Sequence, residues 1–147
     1  MRHASVYLAA FAAGVLFGVA SPAEAADWDQ AAVSAIAQQL PDATEKLYTA
    51  LYQQGQPMDS IGGLGGGDSY HEFKDRVRLL HAESLHLADA LKKGQGMDQT
   101  KHAYQRIGEL NDDAKEYAGQ QFSENPVTSQ FDEVEDLIGK LAPYYGK

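Results

Sequence analysis

Cysteine is absent from the whole 147-residue sequence. Without a thiol, the chain cannot form a disulfide, bind a metal ion through thiolate ligands or attach haem covalently. A lipid anchor on cysteine and a cysteine nucleophile are excluded for the same reason. Any stability must therefore come from packing, and any chemistry from oxygen and nitrogen side chains.

Basic side chains are also scarce. Twelve Lys and Arg residues stand against 21 Asp and Glu residues, which gives a formal net charge of −9. No Lys- or Arg-rich block interrupts this acidic composition. An acidic surface disfavours nucleic acid and anionic lipid, and it favours solubility. The charge therefore predicts a protein or a small ligand as the partner, and no nucleic acid.

Long apolar runs are limited to residues 6–20, a stretch of fifteen residues near the N-terminus. A membrane-spanning helix needs roughly 20 apolar residues, so this run is short for an anchor. Arg2 precedes it, and the A-x-A pattern of residues 23–25 follows it. This is typical of a cleaved secretory signal peptide over residues 1–25. It predicts a Sec-exported bacterial protein that is periplasmic or secreted, with no membrane insertion after cleavage.

Residues 26–147 contain no strand-like alternation but four segments with apolar residues at helical spacing. Repeated steps of three and four residues are typical of helices that pack lengthwise against one another. The sequence therefore predicts an all-α fold, an antiparallel up-down-up-down four-helix bundle in one domain. The apolar seams are Val33, Ile36, Leu40, Ala43, Leu47, Ala50; Phe73, Val77, Leu80, Ser84, Leu87, Leu91; Ala103, Ile107, Leu110, Ala114, Tyr117; and Val127, Phe131, Val134, Ile138, Leu141, Tyr145.

The first helix is predicted over residues 27–54, with Asp27 as its N-cap. Pro41 lies inside this range, and a proline in a helix interior removes one hydrogen bond. The segment is therefore either one kinked helix or two helices with Pro41 near the start of the second. The unbroken seam favours the kink. Residues 55–68 are glycine-rich and predict a flexible linker.

The second predicted helix is the most clearly delimited one. Ser69 and Glu72 form a capping-box pattern at its start, and Gly94 can close its end in the left-handed conformation. The third helix is predicted from near Asp98 to residues 119–122. The fourth begins at residues 125–126, an Asn-Pro pair, and Pro143 ends it.

Enzyme signatures are missing from the sequence. None of the patterns G-x-S-x-G, H-E-x-x-H and G-x-x-x-x-G-K-[ST] occurs. We therefore expect a non-catalytic helical-bundle protein that acts by binding a protein or a small ligand. A homodimer is compatible with this expectation.

The alternative function is binding of a metal ion or haem. Glu83 and His86 form an E-x-x-H pair on one helix face, and His81 flanks the buried seam. Ferritin-like di-iron bundles use this pair twice, with two further carboxylates. Here it occurs once, so His81, Glu83 and His86 are candidate metal ligands without an evident second half. An exposed Glu–His pair and an interfacial histidine are the simpler interpretation.

The helix count and spacing resemble those of the cytochrome b562 and cytochrome c′ bundles. Those families place a haem-ligating histidine on the last helix. The fourth predicted helix of this chain contains no His, Met or Cys, and the first contains no Met. The resemblance implies the bundle architecture and no cofactor.

Overall fold

The computed structural model describes residues 26–53, 66–121 and 127–146, and this part of the chain is helical with no strand. The predicted signal peptide and most of the predicted linker lie outside these residues. None of the described helices is long and apolar enough to span a membrane. The elements are α1 (Gln30–Ala37), α2 (Leu40–Gln53), α3 (Gly66–Lys92), α4 (Met97–Gln121), α5 (Thr128–Leu141) and a 3₁₀ turn (Ala142–Tyr145).

The predicted first helix is described as two helices. Asp29, rather than Asp27, caps α1, because its carboxylate accepts hydrogen bonds of 3.0 Å from the Ala31 and Ala32 amides. Residues 38–39 form a turn before α2. Pro41 is the second residue of α2, where a missing N–H removes no intrahelical bond. The single kinked helix is therefore not confirmed.

Helix α3 begins earlier than predicted. It starts at Gly66, so the start at Ser69 with a Glu72 capping box is wrong, and residues 66–68 are not linker. Helix propensity is a weak preference that tertiary packing overrides, even at glycine. The predicted end is confirmed, because Gly94 has a φ of +81° and its amide donates to the Leu91 carbonyl at 3.0 Å.

The remaining boundaries agree more closely with the sequence. Helix α4 begins at Met97, next to the predicted start. Helix α5 begins at Thr128, later than the predicted Asn-Pro start, and that pair lies outside the described residues. It ends at Leu141, and Pro143 lies in the 3₁₀ turn that follows.

Four helices form the core of the bundle. Helix α2 packs against α3 and α5, and α4 packs against the same two helices, while α1 packs mainly on α3 and α5. The predicted seam of α3 is confirmed, since every member is at most 1% exposed. Four predicted seam residues are only partly buried: Ile36, Ala50, Tyr117 and Ile138.

Helix α4 buries four side chains in addition to its predicted seam. They are Thr100, Tyr104, Asn111 and Ala118. Asn111 is 1% exposed, and its Oδ1 has no hydrogen-bond partner among the described residues. A buried acceptor without a partner is destabilising, so Asn111 is an energetic weak point of the core.

Aromatic rings fill the layer of the core near the C-terminus. Tyr104 and Tyr145 stack with centroids 4.2 Å apart, and the Trp28 ring meets Tyr145 edge-on at 5.4 Å. Tyr145 also shares a 2.9 Å hydrogen bond with the Thr100 hydroxyl. Burial raises the pKa of Tyr104 and of Tyr145.

Gly108 of α4 and Gly139 of α5 lie in helix interiors. A Cβ atom built on either one would meet no heavy atom within 4 Å. Within the part of the bundle that the structure describes, no other helix closely approaches either glycine.

Candidate functional site

The three candidate metal ligands on α3 point in different directions. His81 lies at the interface with α2, where its Nδ1 is 3.0 Å from the Thr44 hydroxyl. Glu83 and His86 lie on the opposite flank of α3. The distance from His86 Nδ1 to Glu83 Oε2 is 3.8 Å, and the His86 side chain is 70% exposed. The structure therefore brings Glu83 and His86 together and leaves His81 apart from them.

A third ligand for these groups is not evident. Within the described residues, no group of three or more His, Asp and Glu side chains is arranged to hold a metal ion. A metal site needs at least three protein ligands at about 2.0–2.2 Å from the ion. Metal or haem binding through His81, Glu83 and His86 stays a prediction, which metal analysis of the purified protein would test.

A groove of about 550 Å³ runs between α2 and α5. The α2 side contributes most of its lining, with residues spaced by three and four so that they share one helix face. Gln130 contributes from α5. The lining residues are Asp42, Glu45, Lys46, Thr49, Ala50, Gln53 and Gln130.

The only lysine of this lining is already engaged. Its Nζ lies 2.7 Å from Glu133 Oε1 in α5, and both side chains are well exposed. The hydrogen bond that Lys46 donates to the Glu133 carboxylate, followed by the negative charge of that carboxylate, raises the pKa of Lys46. Lys46 therefore stays protonated near neutral pH and connects the two walls of the groove.

The two acidic residues of the groove, unlike Lys46, are not part of an ion pair among the described residues. Asp42 and Glu45 form no ion pair with any described residue. Thr49 and Gln53 add hydroxyl and amide groups that donate and accept hydrogen bonds. The groove thus combines two carboxylates that form no ion pair among the described residues, neutral polar groups, and the Lys46 ammonium, whose pKa is raised mainly by Glu133 and to a smaller extent by Asp42. Because Glu133 compensates Lys46, the arrangement suits a positively charged, hydrogen-bonding ligand.

Sequence reasoning did not identify this groove. The signal that could have suggested it is the run of polar residues at positions 42, 45, 49 and 53, which share one face of α2. Such a run is also what a solvated helix face looks like. The face of α2 becomes part of a concave site because Gln130 of α5 lies beside it, and the spacing within α2 does not predict that neighbour.

Tyrosines surround a lysine at the interface of α2 and α3. The Lys74 ammonium lies 4.0 Å from the Tyr52 ring centroid and 5.2 Å from that of Tyr70. The ring centroids of Tyr48 and Tyr52 are 4.3 Å apart. Hydrogen bonding to the Tyr52 side chain is the main cause of the raised pKa of Tyr48. Because Lys74 already occupies the aromatic faces, this cluster is best explained as packing between helices.

A smaller crevice of about 160 Å³ lies near the C-terminus. Lys101, Tyr104, Gln105, Tyr145 and Gly146 line it. Tyr104 and Tyr145 are themselves buried. The crevice is too small for most ligands, since typical ligand pockets span about 300–1,000 Å³.

Comparison with known proteins does not assign the chain to a family. No protein-family model matches it, and searches of curated proteins and of solved structures found no match.

Proposed function

We propose that this chain is an exported, non-catalytic helical-bundle protein that binds a small cationic ligand in the groove between α2 and α5. The observation that carries the proposal is the pair of carboxylates, Asp42 and Glu45, that line the groove of about 550 Å³ and form no ion pair with another described residue. A ligand with primary or secondary amines would pair with these carboxylates. It would also donate hydrogen bonds to the neighbouring hydroxyl and amide oxygens.

Electrostatics support a cationic ligand beyond the groove itself. The chain carries a net charge of −9, so its field attracts cations from a distance. Lys46 does not oppose this within the groove, because Glu133 already compensates its charge at 2.7 Å. The groove is shallow and largely open to solvent, so a small amine bound there would keep part of its hydration.

The bundle in this proposal has up-down-up-down order for α2, α3, α4 and α5. The short connection between α3 and α4 supports antiparallel packing of that pair. So do two contacts between them: Phe73 stacks on Tyr117 at 4.8 Å, and Arg76 lies 3.7 Å from Asp113. The order holds the faces of α2 and α5 side by side and so frames the groove.

Export is the second part of the proposal. The pattern of residues 1–25 supports cleavage after Ala25. We expect protein expressed in a bacterium from the full reading frame to be recovered outside the cytoplasm, with Ala26 as its first residue by mass spectrometry. Recovery of the protein in the cytoplasmic fraction with an uncleaved N-terminus would contradict the proposed export. That result would have no bearing on ligand binding in the groove.

Isothermal titration calorimetry with spermidine tests the groove directly. We expect saturable binding near one equivalent that weakens as salt is added, because screening reduces the attraction between exposed charges. Citrate, which is anionic, should give no binding. Absence of binding by spermidine and by the shorter diamine putrescine would contradict the proposed ligand class.

Matched variants separate the groove from general charge. Glu45→Gln removes one groove carboxylate, and we expect about a threefold to tenfold weaker affinity, equivalent to a lost surface ion pair of roughly 1 kcal/mol. Glu72→Gln is the control, since it makes the same change at an exposed position on α3. If both variants weaken spermidine binding equally, the cation binds to the acidic surface as a whole and the groove is not the site.

A further inference from the structure

Helix α3 carries a second row of residues at heptad spacing, on the side away from the core. The row steps by three, four, three, four and three residues, and the buried seam of the same helix alternates steps of four and three in the same way. All six side chains are exposed. This outer stripe consists of Asp75, Arg78, Ala82, Leu85, Asp89 and Lys92.

The charges along the outer stripe have an internal order. From the N-terminal end they run negative, positive, apolar, apolar, negative, positive. Read from the other end, the signs are inverted at every charged position, and the two apolar residues remain in the middle. The outer stripe is therefore complementary to its own reverse, which a surface that pairs with a copy of itself about a two-fold axis requires.

We propose that the outer stripe is a homodimer interface in which two α3 helices pack antiparallel. In this register Asp75 lies opposite Lys92 of the partner subunit. Arg78 lies opposite Asp89 of the partner subunit. Ala82 lies opposite Leu85 of the partner subunit at the centre, and the two-fold axis repeats each of these pairs.

The apolar centre supports the same register. Leu85 is 49% exposed, the largest exposure among the exposed large hydrophobic side chains of the described residues. A small alanine facing a leucine lets two helices approach closely, with the leucine covering the alanine of the other chain. The exposed leucine thus gains a partner in the dimer that it lacks within one chain.

The charged residues at the ends of the outer stripe can form ion pairs within their own chain and with the partner subunit at the same time. Within one chain Arg78 Nε lies 3.3 Å from Asp75 Oδ1, and Lys93 Nζ lies 2.5 Å from Asp89 Oδ2. These side chains are between 57% and 68% exposed, so each retains room for a second partner. Pairing across the two-fold axis would turn isolated surface pairs into networks, which stabilise more than single pairs do.

The interface would be small. The stripe spans 18 residues, or roughly 27 Å of helix at 1.5 Å per residue. One helix face on each side falls at the low end of specific interfaces, which is typical of weak and reversible association. We expect a concentration-dependent monomer–dimer equilibrium that shifts toward monomer as salt is added.

Sedimentation equilibrium of the protein expressed from its full sequence, over a wide range of concentrations, tests the proposal. Arg78→Asp should weaken dimerisation at least about tenfold, because it places like charges opposite each other twice in the dimer. Adding Asp89→Arg to this variant restores opposite signs, and we expect affinity to return to within about threefold of the wild type. A monomer at every accessible concentration would overturn the proposal.

Two leucines of α3 provide a matched pair for the apolar centre. Leu85→Lys places a charge at the centre and should weaken the dimer at least about tenfold. Leu79→Lys is the control, since Leu79 is 39% exposed and lies off the outer stripe. Equal effects of the two changes, or a dimer that neither affects, would assign self-association to another surface. The groove proposal is independent, since the groove lies between α2 and α5.

Discussion

Thr44 and His81 connect α2 to α3 through a 3.0 Å hydrogen bond between Oγ1 and Nδ1. Thr44 is completely buried, and its hydroxyl also lies 2.8 Å from the Leu40 carbonyl oxygen and 3.0 Å from that of Pro41. The hydroxyl has one proton, which it donates to these carbonyls, so its oxygen accepts from His81 Nδ1–H. One threonine thus ties the proline-containing start of α2 to α3.

Replacing Thr44 with valine tests this link. The change keeps the shape of the side chain but removes the hydroxyl, which leaves the His81 donor without a partner. We expect the free energy of unfolding to fall by about 1–3 kcal/mol, as for other buried groups left unsatisfied. Urea denaturation followed by circular dichroism measures it.

Thr49→Val is the matched control, because Thr49 is exposed on the same helix. We expect a change within about 0.5 kcal/mol for that surface position. Equal effects of the two valine substitutions would show that the Thr44 hydroxyl contributes nothing specific to the packing of α2 on α3.

Asn111 offers a stabilising substitution. Its Oδ1 is buried and has no hydrogen-bond partner among the described residues. Asn111→Leu keeps the branching of the side chain and removes the unpaired acceptor, so we expect stability to rise by about 1–2 kcal/mol. The change in urea midpoint at constant slope measures this gain.

Ser84→Ala provides the comparison for Asn111, because the buried Ser84 hydroxyl is satisfied by the Leu80 carbonyl at 2.8 Å. We expect this change to be near neutral, within about 1 kcal/mol. A loss of stability in Asn111→Leu larger than that in Ser84→Ala would mean that Asn111 makes a polar contact that matters to the fold.

Replacing the helical glycines Gly108 and Gly139 with alanine should also increase the stability of the fold. Alanine at Gly108 or Gly139 meets no atom within 4 Å, and alanine is about 1 kcal/mol better than glycine in a helix interior. We expect each substitution to raise the melting temperature. Gly94→Ala is the opposite control, since its φ of +81° is strained for alanine and should lower stability. A destabilised Gly108→Ala would imply that a partner chain packs on that face.

Alkaline pH should destabilise the fold through its buried tyrosines. Burial raises the pKa of Tyr70, Tyr104 and Tyr145 above the ordinary value of 10.0. The unfolded chain therefore loses these protons first as pH rises past about 10, and stability falls with each further increase in pH. Below that range these groups are protonated in both states, so their contribution to stability is constant.

Urea midpoints across the alkaline range, together with tyrosinate absorbance, check this expectation. Tyr104→Phe removes one buried phenol and should make the fall in stability with pH less steep. The raised pKa of Lys46 acts in the same direction, since its bond to Glu133 is lost on deprotonation. Stability that stays constant through the tyrosine titration would contradict the burial of these hydroxyls.

The sequence predicted the helices best where apolar residues repeat without interruption. The α3 seam from Phe73 to Leu91 is buried throughout, because only a helix packed lengthwise can place that spacing on one face. The end of α3 was also predictable, since a glycine after two lysines suits a helix C-terminus. Its start was missed because glycines 66 and 67 indicate a linker by composition, whereas the structure continues the helix through them.

The polar interior and the groove were less accessible to prediction. Asn111 was not expected in the core, because an apolar neighbour, Leu110, fits the seam equally well and a polar residue is normally placed outside. His81 was correctly assigned to an interface, yet its partner Thr44 lies 37 positions away. The groove depends on which residues of α5 lie beside α2, and the residue spacing within one helix does not predict its neighbour.

Heteronuclear NMR of the labelled protein, titrated with spermidine, tests the central claim most directly, because it maps the ligand residue by residue. The groove account predicts saturable shifts in the amide signals of Asp42, Glu45, Thr49 and Gln53, with Gln130 responding from α5. The exposed acidic residues of α3 and α4 should stay unshifted. Small shifts spread over all acidic faces, or none at all, would contradict a binding site between α2 and α5.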